Sequence, residues 1–469
     1  MDKAFSIDLE GDKFKDECGV FGIYSPDGYD VASITYFGLY ALQHRGQESA
    51  GIAVANGKDI NCYKNMGLVS DVFNEKNLAD LKGFSAIGHV RYATAGASSL
   101  NNAQPITAKY KLGSLAIAHN GNLVNADVVK ELLEDAGTVF QPSSDTEVIL
   151  HLIGRAAKKG MERAIVDAMQ AVKGSYAIVI QTENKLIGVR DPNGIRPLCL
   201  GKINNSYVFS SESCALDTVG ADFVRDVNPG EIIIVDENGI KSINFAEKTK
   251  CETCSFEYIY FARPDSVMDG INIYESRVRA GMKLYEENPV EADVVIGVPD
   301  SGIPAAVGFS RASGIPYAIG FIKNKYVGRT FITPSQEMRE RAVSVKLNPL
   351  KANVEGKRVV IIDDSIVRGT TSRKLVETLR KAGAKEVHFR ISSPVVKYPC
   401  YFGIDTPYRS ELIGARLSIK EINDEIGSDT LGYLSMDALL DSLQSGKGFC
   451  LGCFSGVYPV SAPIENRME

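Results

Sequence analysis

The stretch VVIIDDSIVRGTTS, residues 359–372, constrains the fold of this 469-residue chain more than any other. It is a continuous apolar run that ends in two aspartates, followed by a glycine and hydroxyl residues. An amphipathic helix is predicted over 370–384, and the run KEVHFRIS (385–392) then predicts a second strand. Apolar runs without alternation are typical of strands buried on both faces of a parallel sheet. The order strand, helix, strand therefore predicts a βαβ unit and an α/β domain.

The rhythm of the chain changes near residue 250. Before it, short β-type runs such as CGVFGIY, SAGIAVA and EIIIVDENG alternate with turn residues. Few helical patterns interrupt them, one of which is ITYFGLYALQHRG (34–46). This order favours antiparallel sheets with helices packed outside. Three segments are predicted, namely a leader over 1–17, an α+β domain over 18–250 and an α/β domain over 251–469.

Composition excludes several classes of protein. The net charge of −6 gives no basic surface for nucleic acid, and no apolar run is long enough to span a bilayer. The first seventeen residues mix charges throughout, so they do not form a secretory signal. We expect a cytoplasmic protein whose nine cysteines serve as thiols, ligands or nucleophiles.

Two loops at the ends of apolar strands predict a phosphate site. Asp363 and Asp364 suit a ribose diol or a hydrated Mg²⁺, and the hydroxyl-rich residues after them open a helix. A strand-end turn capped by Asp and Ser is the structural alternative. The loop resembles the phosphoribosylpyrophosphate loop of type I phosphoribosyltransferases, and GVPDSG (297–302) fits the second phosphate loop of that family. The resemblance implies that Ser301, Asp363 and Asp364 bind Mg²⁺. It implies that the sugar pyrophosphate is bound by a set of nine residues. They are Asp300, Ser301, Asp363, Asp364, Ser365, Arg368, Gly369, Thr370 and Thr371.

Cys18 is a candidate nucleophile, although a cysteine beside an apolar run is more often a buried core residue. A thiol that attacks an amide needs a base, oxyanion donors and groups that hold the substrate. Arg91 can bind an α-carboxylate and Asp145 an α-ammonium, while Asn120 and the backbone of Gly121 can donate to an oxyanion. Each has a structural alternative: a surface ion pair, a helix cap or a hairpin turn. The histidines in these motifs are interpreted as structural.

These motifs resemble class II glutamine amidotransferases, whose fold is the N-terminal-nucleophile αββα sandwich. The resemblance implies that Cys18, Asn120 and Gly121 are catalytic and that Arg91, Thr94 and Asp145 bind glutamine. In that family the cysteine is residue one of the mature chain and its α-amine is the base, since an α-amine titrates near pH 7.7–8.0. Residues 1–17 are therefore expected to be a propeptide. The alternative is a disordered tail before an inert strand, which would leave the thiol without a base.

The two domains in this order resemble the amidophosphoribosyltransferase family. The resemblance implies that ammonia freed from glutamine displaces pyrophosphate from phosphoribosylpyrophosphate, giving 5-phosphoribosylamine in the first committed step of purine synthesis. It also implies inhibition by purine nucleotides, a homotetramer, and a mobile loop over 323–348 that covers the sugar pyrophosphate. A nucleotide-sensing regulatory protein without glutaminase activity is the alternative.

The cysteines of the second half predict a metal centre. Family members of one subgroup carry a [4Fe–4S] cluster on four positions that are matched here by Cys254, Cys400, Cys450 and Cys453. Cys251 complicates the assignment, because Cys251 and Cys254 form a second C-x₂-C pair that with Cys450 and Cys453 could hold zinc. The two C-x₂-C pairs are far apart in sequence, so we favour the cluster. Its expected role is to hold the start, the middle and the C-terminal end of the second domain together.

Overall fold

A computed structural model describes residues 18–92, 99–111, 113–141, 144–323, 347–406, 408–444 and 446–461. The first half contains thirteen strands within these residues. They are β1 (Gly19–Tyr24), β2 (Ser49–Ala55), β3 (Ile60–Met66), β4 (Ser85–Arg91), β5 (Ile106–Tyr110), β6 (Gly113–Leu123), β7 (Gly174–Thr182), β8 (Leu186–Arg190), β9 (Cys199–Ile203), β10 (Ser206–Ser210), β11 (Asp222–Asp226), β12 (Glu231–Asp236) and β13 (Gly239–Asn244).

These strands form two antiparallel sheets. One has the order β11-β9-β10-β1-β4-β2-β3 and the other β13-β12-β8-β7-β6-β5. Their facing sides share a fully buried core that includes Val20, Ile87, Ala118 and Val179. The sheets therefore stack face to face, as alternating inward apolar positions require.

Helices cover both outer faces of this sandwich. The helices of the first half are Val31–Ala41, Val69–Val72, Glu75–Ala79, Ala126–Asp135, Asp145–Ala156, Met161–Ala171 and Ser213–Val219, with short 3₁₀ turns at Leu100–Asn102 and Ala157–Lys159. One core cluster packs the helix Val31–Ala41 on the first sheet, and another packs Met161–Ala171 on the second. This is the αββα sandwich that the sequence predicted, so that part of the fold class is confirmed.

The second half contains ten further strands in the described residues. They are β14 (Glu252–Cys254), β15 (Val267–Met268), β16 (Ile271–Asn272), β17 (Val294–Gly297), β18 (Phe321–Lys323), β19 (Leu347–Pro349), β20 (Arg358–Asp363), β21 (Glu386–Ile391), β22 (Thr430–Tyr433) and β23 (Gly448–Cys450). The helices are Ile273–Glu287, Ile303–Ser313, Lys351–Val354, Thr370–Lys381, Ile413–Arg416, Ile419–Ile426, Met436–Leu443 and Gly452–Ser455, with a π-helix at Glu257–Phe261 and a 3₁₀ turn at Arg409–Glu411.

The core of this half is a parallel sheet of order β17-β20-β21-β22. The helix Thr370–Lys381 connects β20 to β21, as the βαβ prediction requires. Its apolar residues Leu375, Val376 and Leu379 pack on the buried side chains of the strands. The α/β prediction for this half is therefore confirmed.

A buried ion network joins the two halves. Arg45 bonds Glu212 and reaches across to Glu257, whose Oε2 lies 2.6 Å from Arg45 Nη2. All three side chains are fully buried. The predicted boundary at residue 250 falls between β13 and β14, and it stays a prediction. No helix among the described residues combines the length and apolar character needed to cross a bilayer.

Candidate active sites

Cys18 lies at the start of β1, between the two sheets. Strand pairing places Gly19 opposite Val90, so Cys18 is beside Arg91 at the end of β4. The thiol is 9% exposed and donates to the carbonyl of Tyr92 at 3.7 Å. Arg91 is also buried, with Nη1 3.7 Å from Glu48 Oε1. The pairing register therefore confirms that Cys18 and Arg91 are neighbours, although they are far apart in the sequence.

Burial controls the protonation of Cys18. It raises the pKa of the thiol to about 11, and Asp145 and Glu48 also raise it, whereas Arg91 lowers it. At neutral pH only about one thiol in 10⁴ would then be a thiolate. The thiolate is the nucleophile, so this cysteine needs a base at hand. In the full chain the nitrogen of Cys18 is part of a peptide bond and cannot serve.

Asn120 and Gly121 lie in β6, on the sheet that faces β1. Asn120 is 1% exposed, and its Nδ2 has no hydrogen-bond partner among the described residues. A buried donor without a partner is costly unless a ligand uses it. Gly121 has φ +140°, and a Cβ there would lie 2.1 Å from the carbonyl oxygen of Ser175. Position 121 therefore admits only glycine, because any side chain there would collide with Ser175.

Asp145 is the first residue of the helix Asp145–Ala156 and bonds the last residue of β6. Its Oδ2 accepts from Leu123 N at 2.9 Å, and its Oδ1 lies 3.7 Å from His119 Nδ1. Burial opposes ionisation, but His119 and the backbone donors outweigh it and lower the pKa of Asp145. The carboxylate is thus ionised at neutral pH and suits an ammonium group. Cys18, Arg91, Asp145 and the strand with Asn120 therefore meet in one place.

Polar residues without a predicted catalytic or binding role form hydrogen bonds with His119 in β6. His119 N donates to Gln104 Oε1 at 2.7 Å, and His119 Nδ1 lies 3.2 Å from Thr146 Oγ1. His89 Nε2 lies 3.0 Å from the carbonyl oxygen of His119. These contacts support the interpretation of both histidines as structural. Thr146 follows Asp145 in the motif SSDTEVI (143–149), whereas Gln104 comes from a separate segment with no motif to mark it. Thr94, the remaining residue predicted to bind glutamine, lies outside the described residues.

The two predicted phosphate loops meet at the carboxyl edge of the parallel sheet. Gly297 is opposite Ile362 in the adjacent strands β17 and β20. Beyond them, Ser301 Oγ donates to Asp364 Oδ2, and Ser365 Oγ donates to Asp364 Oδ1 at 2.7 Å. This edge is where ligands of parallel sheets bind. The sequence prediction that these loops form one site is supported by their geometry.

The acid pair is pre-positioned rather than flexible. Asp363 and Asp364 are each 1% exposed, and Asp364 N donates to Asp363 Oδ1 at 2.9 Å. The next helix begins after Gly369, which has φ +88° and caps it without a side-chain hydrogen bond. The first-turn residues Thr370 and Thr371 therefore carry N–H groups that are suited to an anion.

Other predicted residues of this site are more exposed. Asp300 pairs with Lys323 at 2.8 Å, and Arg368 pairs with Glu411 at 2.8 Å. Exposed pairs of this kind are weak, so both side chains can exchange partners when a ligand enters. Residues 324–346, nearly the whole of the predicted mobile loop, lie outside the described residues.

The four predicted cluster ligands gather at one point. Cys254 and Cys450 are paired residues of the parallel strands β14 and β23. The segment before Cys400 is tied to Cys453, whose carbonyl accepts from Lys397 N at 2.9 Å. Burial raises the pKa of the Cys453 thiol well above its usual range, and the charges of Cys254, Cys450 and Cys400 raise it further. The four cysteines thus lie in one region of the fold, and their binding of one prosthetic group stays a prediction.

The same geometry bears on the zinc alternative. Cys254 is the last residue of the strand β14, whereas Cys251 lies just before that strand. No three His, Cys, Asp or Glu side chains in the described ranges are placed to hold a single metal ion. The choice between the cluster and one zinc ion therefore stays a prediction. The sequence also predicts that Cys62, Cys199 and Cys214 are core residues in strand-like settings, but Cys214 lies in the helix Ser213–Val219.

Comparisons with known proteins identify the two domains. Residues 89–218 match the glutamine amidotransferase domain family, and residues 269–392 match the phosphoribosyl transferase domain family. An amidophosphoribosyltransferase of Bacillus subtilis is 51% identical over 450 residues, covering 95% of this chain and 94% of that protein. One from Methanothermobacter thermautotrophicus is 50% identical over 455 residues, covering 96% of each.

A solved structure extends the agreement to three dimensions. The glutamine phosphoribosylpyrophosphate amidotransferase of B. subtilis, complexed with ADP and GMP, superposes with a TM-score of 0.91 at 50% identity. The match covers 96% of this chain and 98% of that one. The chain therefore belongs to the amidophosphoribosyltransferase family, as an enzyme of purine biosynthesis that joins a glutamine amidotransferase domain to a phosphoribosyltransferase domain.

Proposed function

We propose that this chain converts phosphoribosylpyrophosphate, glutamine and water into 5-phosphoribosylamine, glutamate and pyrophosphate, with the residue roles given below. The observation that carries the proposal is the buried group formed by Cys18, Arg91, Asp145 and Asn120. The amide nitrogen of Asn120 has no hydrogen-bond partner in the part of the chain that the structure describes. A nucleophile, two groups of opposite charge for an amino acid and an oxyanion donor are what glutamine hydrolysis needs.

The proposed glutaminase chemistry starts with removal of residues 1–17. The freed α-amine of Cys18 takes the thiol proton, and the thiolate attacks the carboxamide carbon of glutamine. Asn120 Nδ2 and the backbone N–H of Gly121 stabilise the oxyanion, while Arg91, Thr94 and Asp145 hold the carboxylate and ammonium groups. Ammonia leaves with the proton that the α-amine returns, and water then cleaves the thioester to give glutamate.

The second site is proposed to bind phosphoribosylpyrophosphate between its two loops. Asp363 and Asp364 take the ribose hydroxyls. With Ser301 they would hold Mg²⁺, which when bound would supply positive charge for the pyrophosphate. Mg²⁺ in such sites uses few protein ligands together with water and substrate oxygens. Thr370 and Thr371 hold the 5-phosphate at the helix start. The ammonia attacks C1 of the ribose, and pyrophosphate leaves.

Three further features belong to the same proposal. A [4Fe–4S] cluster on Cys254, Cys400, Cys450 and Cys453 would tie β14, β23 and the segment before Cys400 together, supplying stability and no reaction step. Purine nucleotides are proposed as feedback inhibitors, since the B. subtilis enzyme was solved with ADP and GMP. A cytoplasmic homotetramer completes the proposal.

The test separates the two nitrogen sources. Cys18→Ser should abolish glutamine-dependent pyrophosphate release and leave the ammonia-dependent rate within about two-fold of wild type, because only the first domain uses Cys18. A Cys62→Ser variant is the matched control and should keep both rates. A measured mass of the purified protein that corresponds to a chain beginning at Cys18 would support removal of the propeptide. Glutamine hydrolysis by Cys18→Ser at the wild-type rate would refute the assignment of Cys18 as the nucleophile. A wild-type protein that binds phosphoribosylpyrophosphate or nucleotides but hydrolyses no glutamine would indicate a regulatory protein.

A further inference from the structure

The strand that carries Asn120 and Gly121 is held by a segment of the other half of the chain. Asn122 Nδ2 donates to the carbonyl oxygen of Tyr401 at 2.9 Å. Ser175, opposite Asn122 in the β6–β7 pair, donates through Oγ to the carbonyl oxygen of Phe402 at 2.8 Å. Two neighbouring carbonyls of the phosphoribosyltransferase half thus accept from two strands of the glutaminase sheet.

Gly121 itself touches this segment. A Cβ built at Gly403 would lie 3.1 Å from the carbonyl carbon of Gly121 and 3.2 Å from its Cα. On its other side, Gly121 approaches the carbonyl oxygen of Ser175 so closely that a Cβ would lie 2.1 Å from it. The backbone of Gly121 is therefore confined between Ser175 and Gly403.

The segment that confines Gly121 is firmly held in turn. The carbonyl oxygen of Phe402 also accepts from Arg196 Nε at 2.8 Å. Cys400 N donates to Thr406 Oγ1 at 2.8 Å, and Phe402 N donates to Cys400 Sγ at 3.3 Å. Tyr401 and Phe402 are buried. A buried, internally bonded turn can act as a rigid support rather than a loose contact.

We infer that Tyr401, Phe402 and Gly403 are positioning residues of the glutaminase reaction, which set the backbone of Gly121 for the oxyanion. The inference rests on the proposed function, because it assumes that Gly121 donates to that oxyanion. Oxyanion donors act in the transition state, and their removal costs about 10²–10³-fold in kcat. A displacement of about 1 Å can cost about 10²-fold. The glutaminase centre is thus completed by the phosphoribosyltransferase half.

The experiment compares Gly403→Ala with Gly239→Ala. Both glycines have a positive φ of similar size, +101° and +104°, so a methyl group is disfavoured by the backbone at both positions. A Cβ at Gly239 meets nothing within 4 Å, whereas one at Gly403 presses on Gly121. Ser175→Ala removes one support without adding bulk, and Ser175→Thr restores the hydroxyl.

Glutamate formation and ammonia-dependent pyrophosphate release are measured on the full-length protein. Gly403→Ala should lower the glutaminase kcat by roughly 10–100-fold, with KM for glutamine within about two-fold, because the ground state does not use the oxyanion donors. Ser175→Ala should lower it by about 10-fold and Ser175→Thr should recover most of the loss. Gly239→Ala should match wild type.

Two results would overturn the inference. One is an unchanged glutaminase kcat in both Gly403→Ala and Ser175→Ala. The other is an equal fall of the ammonia-dependent rate, which would indicate general damage to the fold. If Gly403→Ala does not fold, the variants Ser175→Ala and Ser175→Thr test the inference by the same two rates. A wild-type protein that forms no glutamate would instead refute the proposed function.

Discussion

The buried ion network between the two halves allows a quantitative test. Arg45 is fully buried and bonds two carboxylates, with Nη1 and Nη2 3.2 and 2.6 Å from the oxygens of Glu257 and Nε bonded to Glu212. Burial alone would raise the pKa of Glu212, but Arg45 and His44 outweigh it and hold that pKa well below its usual range. Arg45→Ala would leave Glu212 and Glu257 short of a cation in the interior.

Breaking a buried pair by removing one partner costs about 3–5 kcal/mol. For a domain of 150–250 residues, about 2–4 °C of thermal midpoint corresponds to 1 kcal/mol. We therefore expect Arg45→Ala to lower the midpoint of thermal unfolding, measured by calorimetry or circular dichroism, by roughly 6–20 °C. Glu257→Gln in the Arg45→Ala background should recover part of the loss, since it removes one of the two buried charges that Arg45 balanced.

Arg373→Ala is the matched control. Arg373 bonds Glu425 at 3.0 Å, but the side chains are 50% and 54% exposed. Exposed pairs contribute about 0–1 kcal/mol, so the control should shift the midpoint by a few degrees at most. An Arg45→Ala midpoint within about 2 °C of the control would refute the view that this network stabilises the junction.

Three further outcomes are expected. Asp364→Asn should lower kcat/KM for phosphoribosylpyrophosphate by roughly 10–100-fold with either nitrogen source while glutamine hydrolysis persists, since a buried charged acceptor is lost; unchanged pyrophosphate release would contradict the site. Cys450→Ser should lower iron and acid-labile sulfide content together with soluble yield, and activity only in proportion to folded protein; wild-type protein with one zinc ion and no iron would contradict the cluster. Burial and the charge of Asp269 raise the pKa of Asp226 to about 6. The ionised carboxylate therefore lowers the free energy of unfolding above pH 6, and this effect disappears as the pH falls towards 4. Asp226→Asn should therefore raise the thermal midpoint at pH 8 and leave it unchanged near pH 4, and a lower midpoint at pH 8 would contradict this.

Several predictions held because their information is local in the sequence. The apolar run before Asp363 and the helical pattern after Gly369 specify the βαβ unit, since burial on both faces and the 3.6-residue period leave direct marks on composition. A local detail was still missed. The pattern ITYFGLYALQHRG places a helix from residue 34, whereas the helix spans Val31–Ala41 because Asp30 accepts from Ser33 N at 3.2 Å and caps it earlier.

The amino-acid sequence by itself determined the types of residue at the two sites. Cys18, Arg91, Asn120 and Asp145 each stand in a short motif, and their chemistry indicates a glutaminase before any contact is known. What the motifs could not specify is that these side chains meet. That follows from the pairing of Gly19 with Val90 and from the stacking of two sheets.

Tertiary structure alone decided how the halves depend on each other. Asn122 and Tyr401 are 279 positions apart, and Arg45 and Glu257 are 212 apart. A hydrogen bond to a backbone carbonyl places no demand on the identity of the accepting residue, so the sequence around Tyr401 carries no sign of it. A buried arginine also looks like a surface arginine until the fold covers it. The physical reason is that periodicity and motifs record local burial and chemistry, whereas contacts between distant segments arise only when the packed domains bring them together.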